Sequence, residues 1–312
     1  MGIRHPYLDQ GGTQTGELMS ATWNDRFATW AQSPSQTETD KIEHSITAIK
    51  KALAASPKVA SVTKVFVQGS YRNRVNVRQD SDVDIGVLYT GNAFFANYPD
   101  GKGHADFGNS NATYTYAEYK NDIGKALTDY LGAEHVTRGD KAFDVHENSY
   151  RVDADVVPVF EHRRYSSSGS YISGTELRPD SGGRIINWPE QHYANGKQKN
   201  DDTGRAYRGV VRIIKKLRNI MDEDGIAEAK PLKGFNVECL VWNVPNSCFI
   251  HTTWYEDVSA VLNHLSYYLS SMALCEEWGE VSELKYLLKG DDAKRAKFKS
   301  FVDHARRYVG VT

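Results

Sequence analysis

Ile42, Ile46, Ile49 and Leu53 recur every three to four positions and predict one face of a helix that packs across a sheet. Thr37 or Thr39 would cap it. Ser33-Pro34-Ser35 separates it from a helical stretch over 21–31 carrying Trp23, Phe27 and Trp30, while residues 1–19, Gly- and Thr-rich, read as irregular. The period then shortens to two. Val65-Phe66-Val67 reads as a strand that ends at Gln68 and enters a Gly69-Ser70 turn. Val83, Ile85 and Val87 then point one way, Asp82 and Asp84 the other. Residues 91–116, rich in Gly, Asn and Asp, read as a loop; residues 119–131 read as a helix with Ile123, Leu127 and Leu131 on one face. Strands are expected at Val136, over 143–146 and over 149–160, then a polar inter-lobe connection over 166–183. Beyond it, 202–221, 235–243, 255–272 and 291–309 read as helices. The expected fold class is α+β, with a strand-bearing lobe and the N-terminal helices over 1–178 and a helical lobe over 179–312.

Composition narrows the class. A chain of 312 residues suffices for one large or two modest domains. The net charge of −2 argues against a strongly basic nucleic-acid surface. Cys239, Cys248 and Cys275 show neither C-x-x-C spacing nor a disulfide framework, and read as buried apolar residues in a reducing compartment. No stretch approaches the ~20 apolar residues of a membrane span, and the N-terminus lacks a charged-then-apolar signal pattern. The expectation is a cytoplasmic protein with no membrane partner.

The chemistry concentrates between Gln68 and Asp84. Residues two apart on a strand sit roughly 6.5–7 Å apart on one face. Two carboxylates at that spacing can share a pair of Mg²⁺ ions about 3.5–4 Å apart, and Mg²⁺ takes one or two carboxylates plus substrate phosphates. The Gly69-Ser70 turn offers backbone N–H groups and a hydroxyl to a phosphate. A D-x-D by itself also fits the solvated face of an edge strand, and a Gly-Ser by itself a simple turn. The order strand, Gly-Ser, basic loop, D-x-D strand suggests phosphoryl or nucleotidyl transfer. A two-metal site usually takes a further acid, and Val152-Asp153-Ala154-Asp155-Val156-Val157-Pro158 offers two. Periodicity puts Asp153 and Asp155 on one face and does not choose between them; Pro158 would also allow this to be an edge strand.

Gly69-Ser70 followed by Ser81-Asp82-Val83-Asp84 resembles the signature of the DNA-polymerase-β-like nucleotidyltransferases. The longer string Gln68-Gly69-Ser70-Tyr71-Arg72-Asn73, Asn76-Val77-Arg78, Asp80-Ser81-Asp82-Val83-Asp84 is similar to the bacterial cGAS/DncV-like nucleotidyltransferases (CD-NTases). Arg184-Ile185-Ile186-Asn187-Trp188-Pro189 with His192-Tyr193-Ala194-Asn195-Gly196 resembles their clade E. The resemblance implies a polymerase-β-like core, a helical C-terminal lobe and an active site in the cleft between them. It implies Asp82, Asp84 and Asp155 as catalytic metal ligands, Asp155 being chosen because it directly precedes the apolar pair Val156-Val157. Gln68, Gly69 and Ser70 would bind phosphate, and Lys215 would contact the triphosphate, although Lys216 lies beside it and a basic helix also fits a solvated face. Gly234-Phe235 stands where the family has Ser then Tyr. Phe235 keeps a stacking face for a base, Gly234 loses a phosphate-binding hydroxyl, and plain core packing is the alternative for Phe235. Asn187 falls where that branch reads a pyrimidine edge; a turn Asn before Trp-Pro is the alternative.

The implied activity is Mg²⁺-dependent synthesis, with Mn²⁺ able to substitute, of a cyclic dinucleotide second messenger from NTPs in anti-phage signalling (CBASS). Cyclic UMP–AMP or cyclic di-UMP is the expected product. The alternatives are a cyclic all-purine di- or trinucleotide, or transfer to an antibiotic or RNA. A catalytically dead sensor is disfavoured by the three intact acids. No clustered Cys/His insert suggests zinc-based nucleic-acid sensing, and the downstream effector is expected to bind the product rather than the enzyme.

Overall fold

The computed structural model describes residues 13–78, 82–110 and 112–311. Residues 1–12 of the stretch read as irregular, and Asp80-Ser81 of the signature string, lie outside the described residues. In chain order the elements are α1 (Thr13–Trp30), α2 (Gln36–Ala55), β1 (Thr63–Val67), α3 (Gly69–Asn73), β2 (Val83–Tyr89), β3 (Phe94–Asn97), α4 (Tyr116–Leu131), β4 (Val136–Arg138), β5 (Phe143–Val145), β6 (Ala154–Tyr165), β7 (Tyr171–Leu177), β8 (Ile185–Asn187), α5 (Pro189–Asp202), α6 (Ala206–Glu223), α7 (Gly234–Trp242), α8 (Trp254–Tyr268), α9 (Met272–Cys275) and α10 (Asp292–Tyr308).

Two compact units divide the chain. The first is Ser33–Asn195. Its helix α2 begins with a capping box at Ser35 rather than at Thr37 or Thr39: Glu38 N–H donates to Ser35 Oγ (3.3 Å) and Ser35 N–H to Glu38 Oε2 (2.7 Å). Thr39 Oγ1 instead donates back to the Ser35 carbonyl. A second capping box, Thr115 with Glu118, starts α4 three residues before the expected position. Ile42, Ile46, Ile49 and Leu53 of α2 and Ile123 and Leu127 of α4 are buried in one core with Val83, Ile85, Val87 and Val156. Each such side chain contributes roughly 1.5–3 kcal/mol when fully buried.

Among the described residues the strands form one mixed sheet, β1-β2-β6-β5-β4, with β3 and β7 paired to the far half of β6 and β8 paired to β7. β2 runs antiparallel to β1 and parallel to β6. β6 is thus the central strand, not an edge, and Pro158 lies within its pairing to β2, opposite Val87. Its carbonyl accepts the Tyr116 hydroxyl at 2.8 Å. β6 begins at Ala154, so 149–153 is not strand.

Two segments expected to be loops contain strands. Residues 91–116 hold β3 and a 3-10 turn at His104–Phe107, held by Tyr98, Phe107 and Tyr165 with ring centroids 4.6–5.3 Å apart. The polar stretch 166–183 holds β7, whose buried positions include Thr175 and Glu176 on opposite faces. Polar side chains with partners take the place of apolar ones there, which hides the strand from a hydrophobicity pattern.

The second unit joins the N-terminal segment up to Gln32 to Gly196–Thr312, a division different from the expected 178/179 boundary. α1 begins at Thr13, well before residue 21. Its Trp23 packs 5.8 Å from Tyr308 and its Phe27 6.4 Å from Tyr255, while buried Arg212 donates from Nε to the Ala31 carbonyl at 2.7 Å. These contacts explain why α1 belongs with the C-terminal helices rather than with the strands. The expected helix 202–221 is broken at Thr203–Arg205, and 255–272 ends at Tyr268 before the single turn α9. No helix among the described residues is long and apolar enough to cross a membrane.

Candidate active site

Gly69 lies directly against the Asp84 carboxylate. Gly69 adopts a φ of +65°, and a Cβ built on it would lie 1.8 Å from Asp84 Oδ2. Only glycine combines that backbone conformation with that proximity. Gly69-Ser70 is not a loose turn; it opens the short helix α3, closed by Val75 N–H donating to the Ser70 carbonyl at 2.9 Å. The Gln68 N–H donates to the Asp84 carbonyl at 3.0 Å, tying the end of β1 to the start of β2. Asp82 immediately precedes β2 and is exposed, whereas Asp84 is half-buried. β2 is flanked on both sides, so Asp84 does not lie on an edge strand.

The parallel register of β2 and β6 sets Asp84 opposite Asp155, with adjacent strands roughly 5 Å apart. Asp153 lies before β6 and is engaged elsewhere: its Oδ1 accepts the Glu147 N–H at 2.7 Å and its carbonyl the Val83 N–H at 3.1 Å. Asp153 and Asp155 therefore do not share one strand face. On the other side of Asp155, the β5 register places Asp144 directly opposite it. Burial, then the charges of Asp84, Asp144 and Asp82, and a hydrogen bond with Asp144, push the Asp155 carboxyl up to about 6. Asp144 was not anticipated. Its only trace in the sequence is the alternation Phe143-Asp144-Val145, and its meeting with Asp155 is set by strand pairing across the sheet.

A partly desolvated group of like charges favours a divalent cation, and all its donors are hard oxygens. Among the described residues no group of three or more His, Cys, Asp or Glu side chains encloses a metal ion by itself. An ion at these acids would therefore need ligands beyond the side chains, such as phosphate oxygens and water.

In the helical unit, Lys215 of α6 is buried rather than on a solvated face, and its Nζ lies 3.8 Å from Glu238 Oε2 of α7. Lys216 is half-buried. Gly234 opens α7 beside them; a Cβ there would come 3.5 Å from Lys215 Cε. Phe235 is 44% exposed, which removes the core-packing alternative. Asn187 is the exposed last residue of β8, paired with Thr175 in a strand rather than placed in a turn. Thr175 pairs in turn with Glu161 of β6. Asn187 therefore lies six residues along β6 from Asp155, a path of roughly 20 Å. The structure thus groups Gly69, Ser70, Asp82, Asp84 and Asp155, and separately Lys215, Gly234 and Phe235. Asn187 shares the sheet with the first group without adjoining its acids.

Residues 194–310 match the family described as the cGAS/DncV-like nucleotidyltransferase C-terminal helical domain. The chain is 41% identical over 297 residues to the cyclic dipyrimidine nucleotide synthase CdnE of Legionella pneumophila, covering 93% of this chain and 99% of that protein. It is 41% identical over 274 residues to the protein of the same name from Cecembia lonarensis, covering 87% of this chain and 92% of that one. Among solved structures, the Elizabethkingia meningoseptica CdnE cyclic dinucleotide synthase with GTP and Apcpp superposes with a TM-score of 0.77 at 32% identity, over 92% of this chain and 98% of that one.

Proposed function

The chain belongs to the cGAS/DncV-like nucleotidyltransferases, and from that premise we propose that it is an enzyme joining two NTPs into a cyclic dinucleotide that contains a pyrimidine. The observation that carries the chemistry is the β2–β6 register, which sets Asp84 opposite Asp155 while Gly69 lies against the Asp84 carboxylate. The pyrimidine choice is supported by the two relatives at 41% identity, both cyclic dipyrimidine nucleotide synthases.

Asp82, Asp84 and Asp155 would hold Mg²⁺, or Mn²⁺ in its place. When bound, the ions supply charge neutralisation at the triphosphate. The Gly69 and Ser70 N–H groups and the Ser70 hydroxyl would hold the donor phosphates, with Gln68 fixing the turn to β2. Lys215 of the helical unit would add a cationic contact, and Phe235 a face for a base. Asp155 would accept a hydrogen bond from the acceptor ribose hydroxyl. As the hydroxyl proton passes to the Asp155 carboxylate, that oxygen forms a bond to the α-phosphorus, the bond from the α-phosphorus to its bridging oxygen breaks, and pyrophosphate leaves. A second round on the linear intermediate closes the ring. The rate then comes mainly from positioning and electrostatic stabilisation. The product would act on a separate effector in anti-phage signalling.

Incubation with four labelled NTPs and Mg²⁺, followed by nuclease mapping, tests this. A nuclease-resistant cyclic product that requires UTP or CTP is expected. Robust synthesis from ATP and GTP alone would assign a purine product instead, and no pyrophosphate release under any nucleotide mixture would refute the enzyme.

A further inference from the structure

The half of the sheet that carries β8 is organised around a buried charge outside the proposed catalytic group. Glu176 of β7 and His162 of β6 are both 0% exposed, and His162 Nδ1 lies 2.8 Å from Glu176 Oε2. Arg184, the residue before β8, lays its guanidinium along the same carboxylate: Nε donates to Oε1 at 3.1 Å and Nη2 to Oε2 at 2.7 Å. Arg178 Nη2 lies 3.3 Å from Oε1. Burial alone would push the Glu176 carboxyl up, but hydrogen bonds from His162 and Arg184 hold it below the ordinary carboxylate range.

This network brackets Asn187. Arg184 stands three positions before it, and Trp188, 2% exposed, directly follows it. The His162 ring meets Trp188 edge-on with centroids 6.0 Å apart, and the Arg164 guanidinium lies 4.2 Å over the Trp188 ring. Gly174 of β7 presses on the Asn187 carbonyl so closely that a Cβ there would come within 2.6 Å of it.

A buried ion cluster is a poor way merely to staple strands, since apolar residues of similar volume are often as stabilising. What a two-pronged guanidinium–carboxylate contact adds is geometry. A carboxamide that reads a base edge must be held within about 0.5 Å and 10–20° of its working position. We propose that Glu176 is a positioning residue for base selection: by gripping Arg184 from within the sheet and pairing with His162, it fixes β8 so that Asn187 presents one amide orientation to a pyrimidine. This rests on Asn187 being the residue that reads the base.

The test measures UTP against ATP incorporation in competition, with KM and kcat for each, in wild type, Asn187→Ser, Glu176→Gln and Arg184→Gln. Arg184 is 40% exposed, so its substitution keeps the test valid if Glu176→Gln fails to fold. Arg184→Gln and Glu176→Gln are expected to shift preference toward ATP by roughly three- to tenfold, through KM for UTP rather than kcat. Combined with Asn187→Ser, they should add little further shift, because they act through the same side chain. If Asn187→Ser alters preference while Arg184→Gln and a folded Glu176→Gln lower only the melting temperature, the network is structural and the proposal fails by itself. If Asn187→Ser leaves preference unchanged, the base-reading assignment falls and takes the proposal with it.

Discussion

Asp155 and Glu176 stand on neighbouring strands of one sheet and are pushed in opposite directions. Burial, reinforced by neighbouring carboxylates of its own sign, raises the Asp155 carboxyl to about 6. Glu176 is the more deeply buried, yet its carboxyl is lowered, because His162 and Arg184 hydrogen-bond to it. Burial is common to both; the sign of the neighbours decides the outcome. A buried carboxylate with cationic partners is complete within the chain. A carboxylate raised by like charges holds an electrostatic cost that a bound cation would relieve, and perturbation of that kind marks a functional candidate.

The strongest way to break this contrast is at the paired acids. Asp82→Asn with Asp84→Asn should lower synthesis by at least ~100-fold while leaving the circular-dichroism spectrum unchanged; retention of a tenth of the activity would remove the two acids from the metal site. Next, Asp155→Asn should cost kcat far more than Asp153→Asn, whose side chain accepts the Glu147 N–H. A dead Asp153→Asn beside an active Asp155→Asn would reverse the assignment.

Stability measured in EDTA sharpens the contrast directly. At pH 7.5 Glu176→Gln should destabilise the chain by about 3 kcal/mol, as expected on breaking a buried ion pair. Asp155→Asn should instead stabilise it, on the order of 1 kcal/mol after allowance for solvent screening. The signs follow from linkage. A raised carboxyl favours folding below its unfolded value and loses that contribution as pH climbs through about 6, so the Asp155→Asn gain should vanish near pH 4. A lowered carboxyl favours folding above its unfolded value, so the Glu176→Gln loss should shrink in acid. Stabilisation by both variants, or by neither, would contradict the electrostatic account.

Smaller effects belong to the helical unit. Lys215→Ala should raise KM for NTP roughly tenfold, the scale of one charge-assisted contact of about 1.5–3 kcal/mol; an unchanged KM would confine Lys215 to its pairing with Glu238. Gly234→Ser should lower that KM by a factor of about two to three, since a Cβ fits at 3.5 Å from Lys215 Cε and the added hydroxyl supplies a neutral hydrogen bond. A higher KM would mean the open space at Gly234 is itself required.

What the sequence disclosed depended on whether the information was local. α2 and α4 were legible because their apolar residues repeat on one face, and the D-x-D strand because its alternation is strict. α5 was not, because buried Lys199 and Asn200 take inward positions where a pattern would need apolar residues. β7 escaped for the same reason, its buried Glu176 being matched by His162 and Arg184 on either side of it in the chain, which a local hydrophobicity pattern does not register. Asp155 emerged only through resemblance, since periodicity could not part it from Asp153. Asp144 could not emerge at all: its significance lies in the β5–β6 register, which no local pattern encodes.

The contact between Gly69 and Asp84 offers a clean genetic control. Acid-to-amide variants silence a carboxylate site but also change the surface potential, so any altered partner binding in a cell is ambiguous. Gly69→Ala leaves every formal charge in place, yet its methyl group would occupy the volume of Asp84 Oδ2, 1.8 Å away, on a backbone that alanine rarely adopts. Either the carboxylate rotates out or the start of α3 shifts. A chain inactivated in this way keeps its isoelectric point, so comparing it with wild type separates what cells owe to the product from what they owe to the protein's presence.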